Sequence, residues 1–302
     1  MIHFGLTLPT YRSYASPRHI MATADRAEEL GFHSVWAADH LVISDDLVDK
    51  MGSVWFESYT TLAFVAGRTQ RLRLGTSIAP VPYRHPLQQA IMVATLDQLS
   101  GGRAMYGGAA GYAEGEFRAL GLDFHQRGAQ TDEYLQAIRI AWTEERPTFH
   151  GRFVHFDGVR VEPKPIQRPY PPIWIGGDSE AAFRRVARFG DGWHGQITGR
   201  VPTLEALAQR IGRLRAVAGA AGRDGARVRV SIKTGCVIGP RAPGEPERPF
   251  HGPVEKVIAD VQQASRLGVE ELVFSSNVAP GEQRMDTIET LGKEVLPAFA
   301  RE

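Results

Sequence analysis

The segment "GFHSVWAADH" (31–40) decides the fold. Gly31 stops a helical pattern, and Val35, Trp36, Ala37 and Ala38 then form an apolar run that reads as a buried strand. Asp39 and His40 close that run side by side. A buried strand has no structural need for a carboxylate and an imidazole at its tip, so the pair points to chemistry where the strand ends.

The same unit, a strand followed by a helix, recurs outward from this segment along the whole chain. Strands are predicted at 2–9, 34–40, 72–80, 103–111, 173–177, 192–195, 228–239 and 271–277. Helices are predicted at 17–30, 54–69, 86–100, 130–143, 179–190, 203–221, 253–267 and 283–300. In the first helix Ile20, Ala24, Ala27 and Leu30 share one face, Pro17 suits its first turn, and Asp178 or Ser179 caps the helix at 179–190. Strict alternation implies parallel strands joined by right-handed crossovers. Eight pairs in 302 residues favour one closed (β/α)8 TIM barrel spanning 1–302. The sixth strand, "GWHG", is the weak point, and without it an open sheet returns. Two insertions, 112–129 and 240–250, follow strands four and seven. The second is rich in Pro, Gly and charge and reads as a mobile loop, while 147–172 reads as a hairpin with a Pro-rich return leg before strand five.

Bulk composition narrows the function. A formal net charge of +1 gives no electrostatic case for nucleic acid or an anionic membrane. The single cysteine, Cys236, excludes an intrachain disulfide and a cysteine-based metal site. No apolar run approaches the roughly 20 residues of a membrane helix, and the opening "MIHFGLTLP" has no basic-then-apolar leader. The expectation is a soluble, cytoplasmic protein acting on a small molecule.

In a barrel the active site lies at the C-terminal ends of the strands. Asp39 and His40 sit there, where an imidazole can move a proton near neutral pH. Gly107, Gly108 and Gly111 strip side chains from the end of strand four, which lets a flat or anionic ligand approach the backbone or merely permits a tight bend. Gly176 and Gly177 run from strand five into a capped helix, whose free N–H groups suit phosphate, although a plain loop has the same look. No H-x-H or H-E-x-x-H spacing supports a metal centre, and no G-x-S-x-G elbow supports a serine hydrolase.

Taken in order, "GFHSVWAADH", "LRLGTSIAPVPYRHP", "LDQLSGGRAMYGGAAGYAEGEFRALG", "PPIWIGGDSEAAFRRVARFGDGW" and "LGVEELVFSSN" resemble the bacterial luciferase-like superfamily. Within it the resemblance is to oxidoreductases that use the deazaflavin coenzyme F420, with FMN the alternative cofactor. It implies a barrel with the cofactor across its C-terminal mouth and a homodimer. It also implies Gly176 and Gly177 at the phosphate, Ala110 and Gly111 beside the cofactor, and a non-prolyl cis peptide at Ser77-Ile78 behind the ring. Asp39 matches a residue touching the ring, and His40 one assigned to proton transfer. Tyr112 stands where sugar-phosphate dehydrogenases of the group carry an acidic Glu, which argues against a sugar phosphate. Glu116 reads as a helix-start or loop anchor, and Trp55, Tyr83, Tyr112, Trp193 and His194 as pocket walls. The implied function is hydride transfer at the deazaflavin C5, with an FMN-dependent monooxygenase or a flavin-binding protein without turnover as alternatives.

Overall fold

The structure, a computed structural model, describes residues 2–240, 244, 246–275 and 281–300. Eight parallel strands form the barrel: β1 (His3–Thr7), β2 (Ser34–Ala37), β3 (Arg73–Thr76), β4 (Ala104–Ala109), β5 (Ile173–Gly176), β6 (Gly192–Gln196), β7 (Arg229–Gly235) and β8 (Glu271–Ser275). Each pairs with its sequence neighbours, and β1 pairs with β8 to close the ring. The doubtful sixth strand is real and five residues long, so the open sheet is excluded.

Two layers of apolar side chains hold this ring. Inside it, Trp36, Met105, Trp174 and Val273 form a sealed cluster. Their indoles fit because the neighbouring strand carries glycine at the paired position: a Cβ on Gly75 would lie 2.4 Å from Trp36, and one on Gly192 2.4 Å from Trp174. Outside it, the helices lay their apolar stripes on the strands; Ile20, Ala24 and Ala27 of the helix Pro17–Glu29 are fully buried. Each large side chain so buried contributes about 1.5–3 kcal/mol against its exposed state.

Local chemistry set the boundaries where the structure departs from the sequence pattern. The helix expected from 54 begins at Ser58, because Trp55 pairs with Tyr11 across an isolated bridge and Glu57 caps the helix by accepting from the Thr60 N–H at 2.7 Å. Two short helices without a full apolar period, Asp45–Met51 and Glu114–Ala119, went unpredicted after β2 and β4. The final helix, expected over 283–300, runs as Gly281–Thr290 and then changes pitch through Leu291–Val295 and Leu296–Phe299. The hairpin is present as Phe149–His150 against His155–Phe156. Of the loop at 240–250, residues 241–243 and 245 lie outside the described residues, as do 276 and 277 of the last strand pattern. No helix among the described residues is long and apolar enough to cross a membrane.

Candidate active site

The site assembles at the C-terminal ends of β2 to β7. Beyond β3 the Ser77-Ile78 peptide is cis, and the chain continues as Ala79–Pro80, paired with Gly108 and Ala109 of β4. Ile78 lies so close to β4 and β5 that a Cβ on Gly107 or Gly176 would come within 3.0 Å of its side chain. Ile78 therefore packs over the two glycines and against Ala109, and together they form an apolar floor on one side of the mouth.

Beneath the floor a buried polar chain runs down the barrel axis. Ser77 Oγ lies 3.0 Å from His194 Nε2, His194 Nδ1 lies 2.9 Å from Ser231 Oγ, and Ser231 donates to Glu271 at 3.2 Å. Ser34 also donates to Glu271, and Trp36, stacked on the His194 ring, donates to Ser34 at 2.8 Å. Since Ser231 spends its proton on Glu271, Nδ1 of His194 must be the donor to it, and Nε2 then accepts from Ser77. Burial, reinforced by the Lys233 charge, pulls the His194 imidazole down to about 3, so it stays neutral. Burial pushes the Glu271 carboxyl up, against the hydrogen bonds from Ser34 and Ser231.

At the rim, His40 is almost buried and its Nδ1 lies 2.7 Å from Oε2 of Glu116. Glu116 is fully buried in the first turn of the helix Glu114–Ala119. Its Oε1 accepts the Leu41 and Val42 N–H groups at 2.6 and 3.1 Å, and Oε2 also accepts the Tyr83 hydroxyl at 2.9 Å. Burial alone would raise the Glu116 carboxyl, but the His40 hydrogen bond and charge and the two backbone donors hold it below its ordinary value. Nε2 of His40 has no hydrogen-bond partner among the described residues. Trp55 and Tyr112 meet its ring edge-on, at 4.6 and 5.8 Å between centroids.

Asp39 is sealed beside this pair. Arg84 donates to both of its oxygens, at 2.7 and 2.9 Å, and Ser58 donates to Oδ1 at 2.9 Å. Tyr112 is mostly exposed. Ala110 and Gly111 continue β4 toward it, Gly111 with φ +82°.

Not every expected residue faces the mouth. Trp193 packs outside the barrel, edge-on to Phe183 and donating to the Gly177 carbonyl at 2.6 Å, so it supports the glycine turn and lines nothing. Tyr83 is buried behind Glu116, and His194 lies under the floor. Sequence spacing missed Arg84, whose partners are 27 and 45 residues away, and Lys233 on β7. The hairpin brings His150, His155 and Asp157 together, exposed, on the connection entering β5 from its N-terminal end, remote from this constellation.

The residues present fit a flat cofactor with an anionic tail. The floor is apolar, and Gly177, at φ +100°, turns the chain from the end of β5 into the helix Glu180–Phe189, where Ser179 caps the Ala182 N–H.

The luciferase-like monooxygenase family model matches residues 2–274. The chain belongs to this family. Among curated relatives, an FMNH(2)-dependent dimethylsulfone monooxygenase of Pseudomonas putida is 36% identical over 141 residues, 46% of the chain but only 38% of that protein's length. An uncharacterised protein of Mycobacterium tuberculosis is 32% identical over 238 residues, 74% of the chain and 81% of that protein. Among solved structures, the coenzyme F420-dependent tetrahydromethanopterin reductase of Methanopyrus kandleri superposes with a TM-score of 0.80 at 20% identity, over 99% of both chains. The relatives thus include an enzyme named as FMNH(2)-dependent, and the fold is shared with a reductase named as coenzyme F420-dependent.

Proposed function

We propose that the protein is a coenzyme F420-dependent oxidoreductase whose small organic substrate exchanges hydride with the deazaflavin C5 at the barrel mouth. The observation that carries this reading is the His40–Glu116 pair. Bound over the floor, the deazaflavin would supply two-electron hydride chemistry and no oxygen activation. Everything else falls to the chain. Glu116 binds Nδ1 of His40 and so presents Nε2 for the proton that accompanies the hydride. Trp55 and Tyr112 wall the imidazole and shield it from bulk water. In this reading Asp39 acts through Arg84 and Ser58 to hold the tip of β2, and Gly176 and Gly177 give the cofactor phosphate its approach to the helix start.

A second reading, an FMN-dependent monooxygenase, is favoured by the 36% identity to the dimethylsulfone enzyme. One experiment separates the two. Purified protein is titrated with oxidised F420 and, separately, with FMN, following ligand fluorescence. Tight F420 binding with weak FMN binding supports hydride transfer, the reverse moves the function to oxygenation, and binding of neither sinks both. With a substrate in hand, full turnover by His40→Ala would remove His40 from the proton step.

A further inference from the structure

Strand parity places one cation on the inner face of the mouth. Ser231 points into the barrel, since it meets His194 and Glu271 there. Lys233 follows two residues later on β7, hence on the same face and one layer nearer the mouth. Its register partners are Gln196 on β6 and Val273 on β8, the latter part of the interior cluster. In the ring β7 stands opposite β3, so Lys233 looks across the mouth toward the Ser77-Ile78 side of the floor.

The chain has five lysines, and Lys233 differs from the other four. Lys164 donates to the carbonyls of Ala141 and Glu144, at 2.8 and 2.6 Å. Lys256 pairs with Asp260 at 2.6 Å and Lys293 with Glu289 at 2.9 Å, and Lys50 is exposed at a helix end. Lys233 is half-buried, yet it has neither a carboxylate nor a hydrogen-bond acceptor among the described residues. Burial pulls its ammonium down to about 8. A desolvated charge without a counter-charge is costly, and a ligand that brings the counter-charge removes the cost.

We propose that Lys233 is an anion-binding residue of the mouth and receives an oxyanion of the bound ligand. This rests on the mouth being the ligand cleft. Two sources share the chemistry: the N1–C2 carbonyl edge of a reduced flavin-type ring, and a carboxylate or enolate oxygen on the substrate. Lysine suits either as a point charge that makes no demand for a planar, two-pronged partner.

The test is acetylation of the full chain by an N-hydroxysuccinimide ester near neutral pH, read lysine by lysine by mass spectrometry. Lys233 is expected to react at least as fast as exposed Lys50, and a saturating oxyanion to slow it about tenfold, as for a charge-assisted hydrogen bond. Protection by reduced but not oxidised FMN or F420 assigns the charge to the ring. Protection by benzoate assigns it to the substrate side, including in protein that binds neither cofactor, where Lys233 stands and the cofactor reading falls. If no anion slows Lys233 in protein that does bind a cofactor, this inference is overturned and the cofactor reading survives; if none slows it in protein that binds neither, both fall. Lys233→Met should weaken the protecting ligand about tenfold, with Lys233→Arg restoring most of the affinity. Unchanged affinity in the Met variant would equally overturn it.

Discussion

Arg84 grips Asp39 with two parallel hydrogen bonds, Nη1 to Oδ2 at 2.7 Å and Nη2 to Oδ1 at 2.9 Å, and both side chains are sealed from solvent. The same guanidinium reaches Glu57 at 2.8 Å, and Ser58 donates to Asp39. One ion pair thus ties the tip of β2 to the connection after β3 and to the start of the helix Ser58–Ala66. Geometry of this kind matters because His40 is the next residue, and any slack at Asp39 moves the imidazole.

Arg84→Met leaves the Asp39 carboxylate buried without its counter-charge. The expected loss of stability is about 3–5 kcal/mol, the range for breaking one partner of a buried pair. Arg84→Lys should recover part of it, since an ammonium cannot make the fork. Urea melts of the three proteins measure this. A loss below about 1 kcal/mol, the level of an exposed pair, would mean that water reaches the site.

Glu116→Gln tests the anchor of His40. The variant keeps the volume but loses the charge-assisted bond and presents an NH2 where an acceptor is needed, at an expected cost of about 1–3 kcal/mol. The sign with pH follows from the lowered carboxyl. A carboxylate whose folded pKa lies below its unfolded value contributes stability above the unfolded pKa, and loses it as pH falls through the folded one. The gap between wild type and Glu116→Gln should therefore be full at neutral pH and close below about pH 4.5, the unfolded reference. A gap independent of pH would show that Glu116 acts by shape alone.

How far the sequence carries this site depends on the range of each interaction. The strands were legible because short apolar runs end at Gly, Pro or a charged tip, and even "GWHG" at 192–195 proved sufficient. Glu116 was legible as a loop anchor from its place at a helix start, and it does hold the Leu41 and Val42 N–H groups. That its other oxygen holds His40 was not, since 76 residues separate them and no spacing encodes a pair brought together by barrel closure. Trp193 misled for a related reason. Its neighbour His194 faces inward, so strand alternation turns the indole out to the helix layer, and that alternation was readable in "GWHGQ". Lys233 carried the same signal: Arg229, Ser231 and Lys233 alternate with the apolar Val230 and Ile232 on a strand whose inner face turned out to be polar.

Gly177→Asp probes the anion site independently of His40. The new carboxylate would sit at the start of the helix Glu180–Phe189, where it takes the favourable interaction with the helix end that a cofactor phosphate needs. The positive φ of Gly177 adds strain of about 1–3 kcal/mol for any side chain. Gly177→Ala carries the strain without the charge, so the comparison isolates the anion effect. Cofactor affinity should fall at least about tenfold further in the Asp variant than in the Ala variant. Equal affinities would remove the helix start from the binding site.

His194 gives a prediction for stability against pH. Its imidazole is held neutral in the fold, pulled down to about 3 by burial and the Lys233 charge, against 6.5 when unfolded. Between those values the unfolded chain binds a proton that the folded chain refuses, so stability rises with pH across the window and falls on acidification. From pH 7 to pH 5 the loss assigned to this one residue is about 2 kcal/mol. His194→Gln keeps a hydrogen-bonding side chain near Ser77 and Ser231 but cannot titrate. It should be less stable than wild type at pH 7, and the difference should shrink by about that amount at pH 5. Urea melts at the two pH values measure the change directly, with the other histidines common to both proteins. If the difference stays constant, the imidazole takes up its proton in the fold as it does in the unfolded chain, and the bond between Nε2 and Ser77 runs the other way, with Nε2–H donating to the Ser77 hydroxyl.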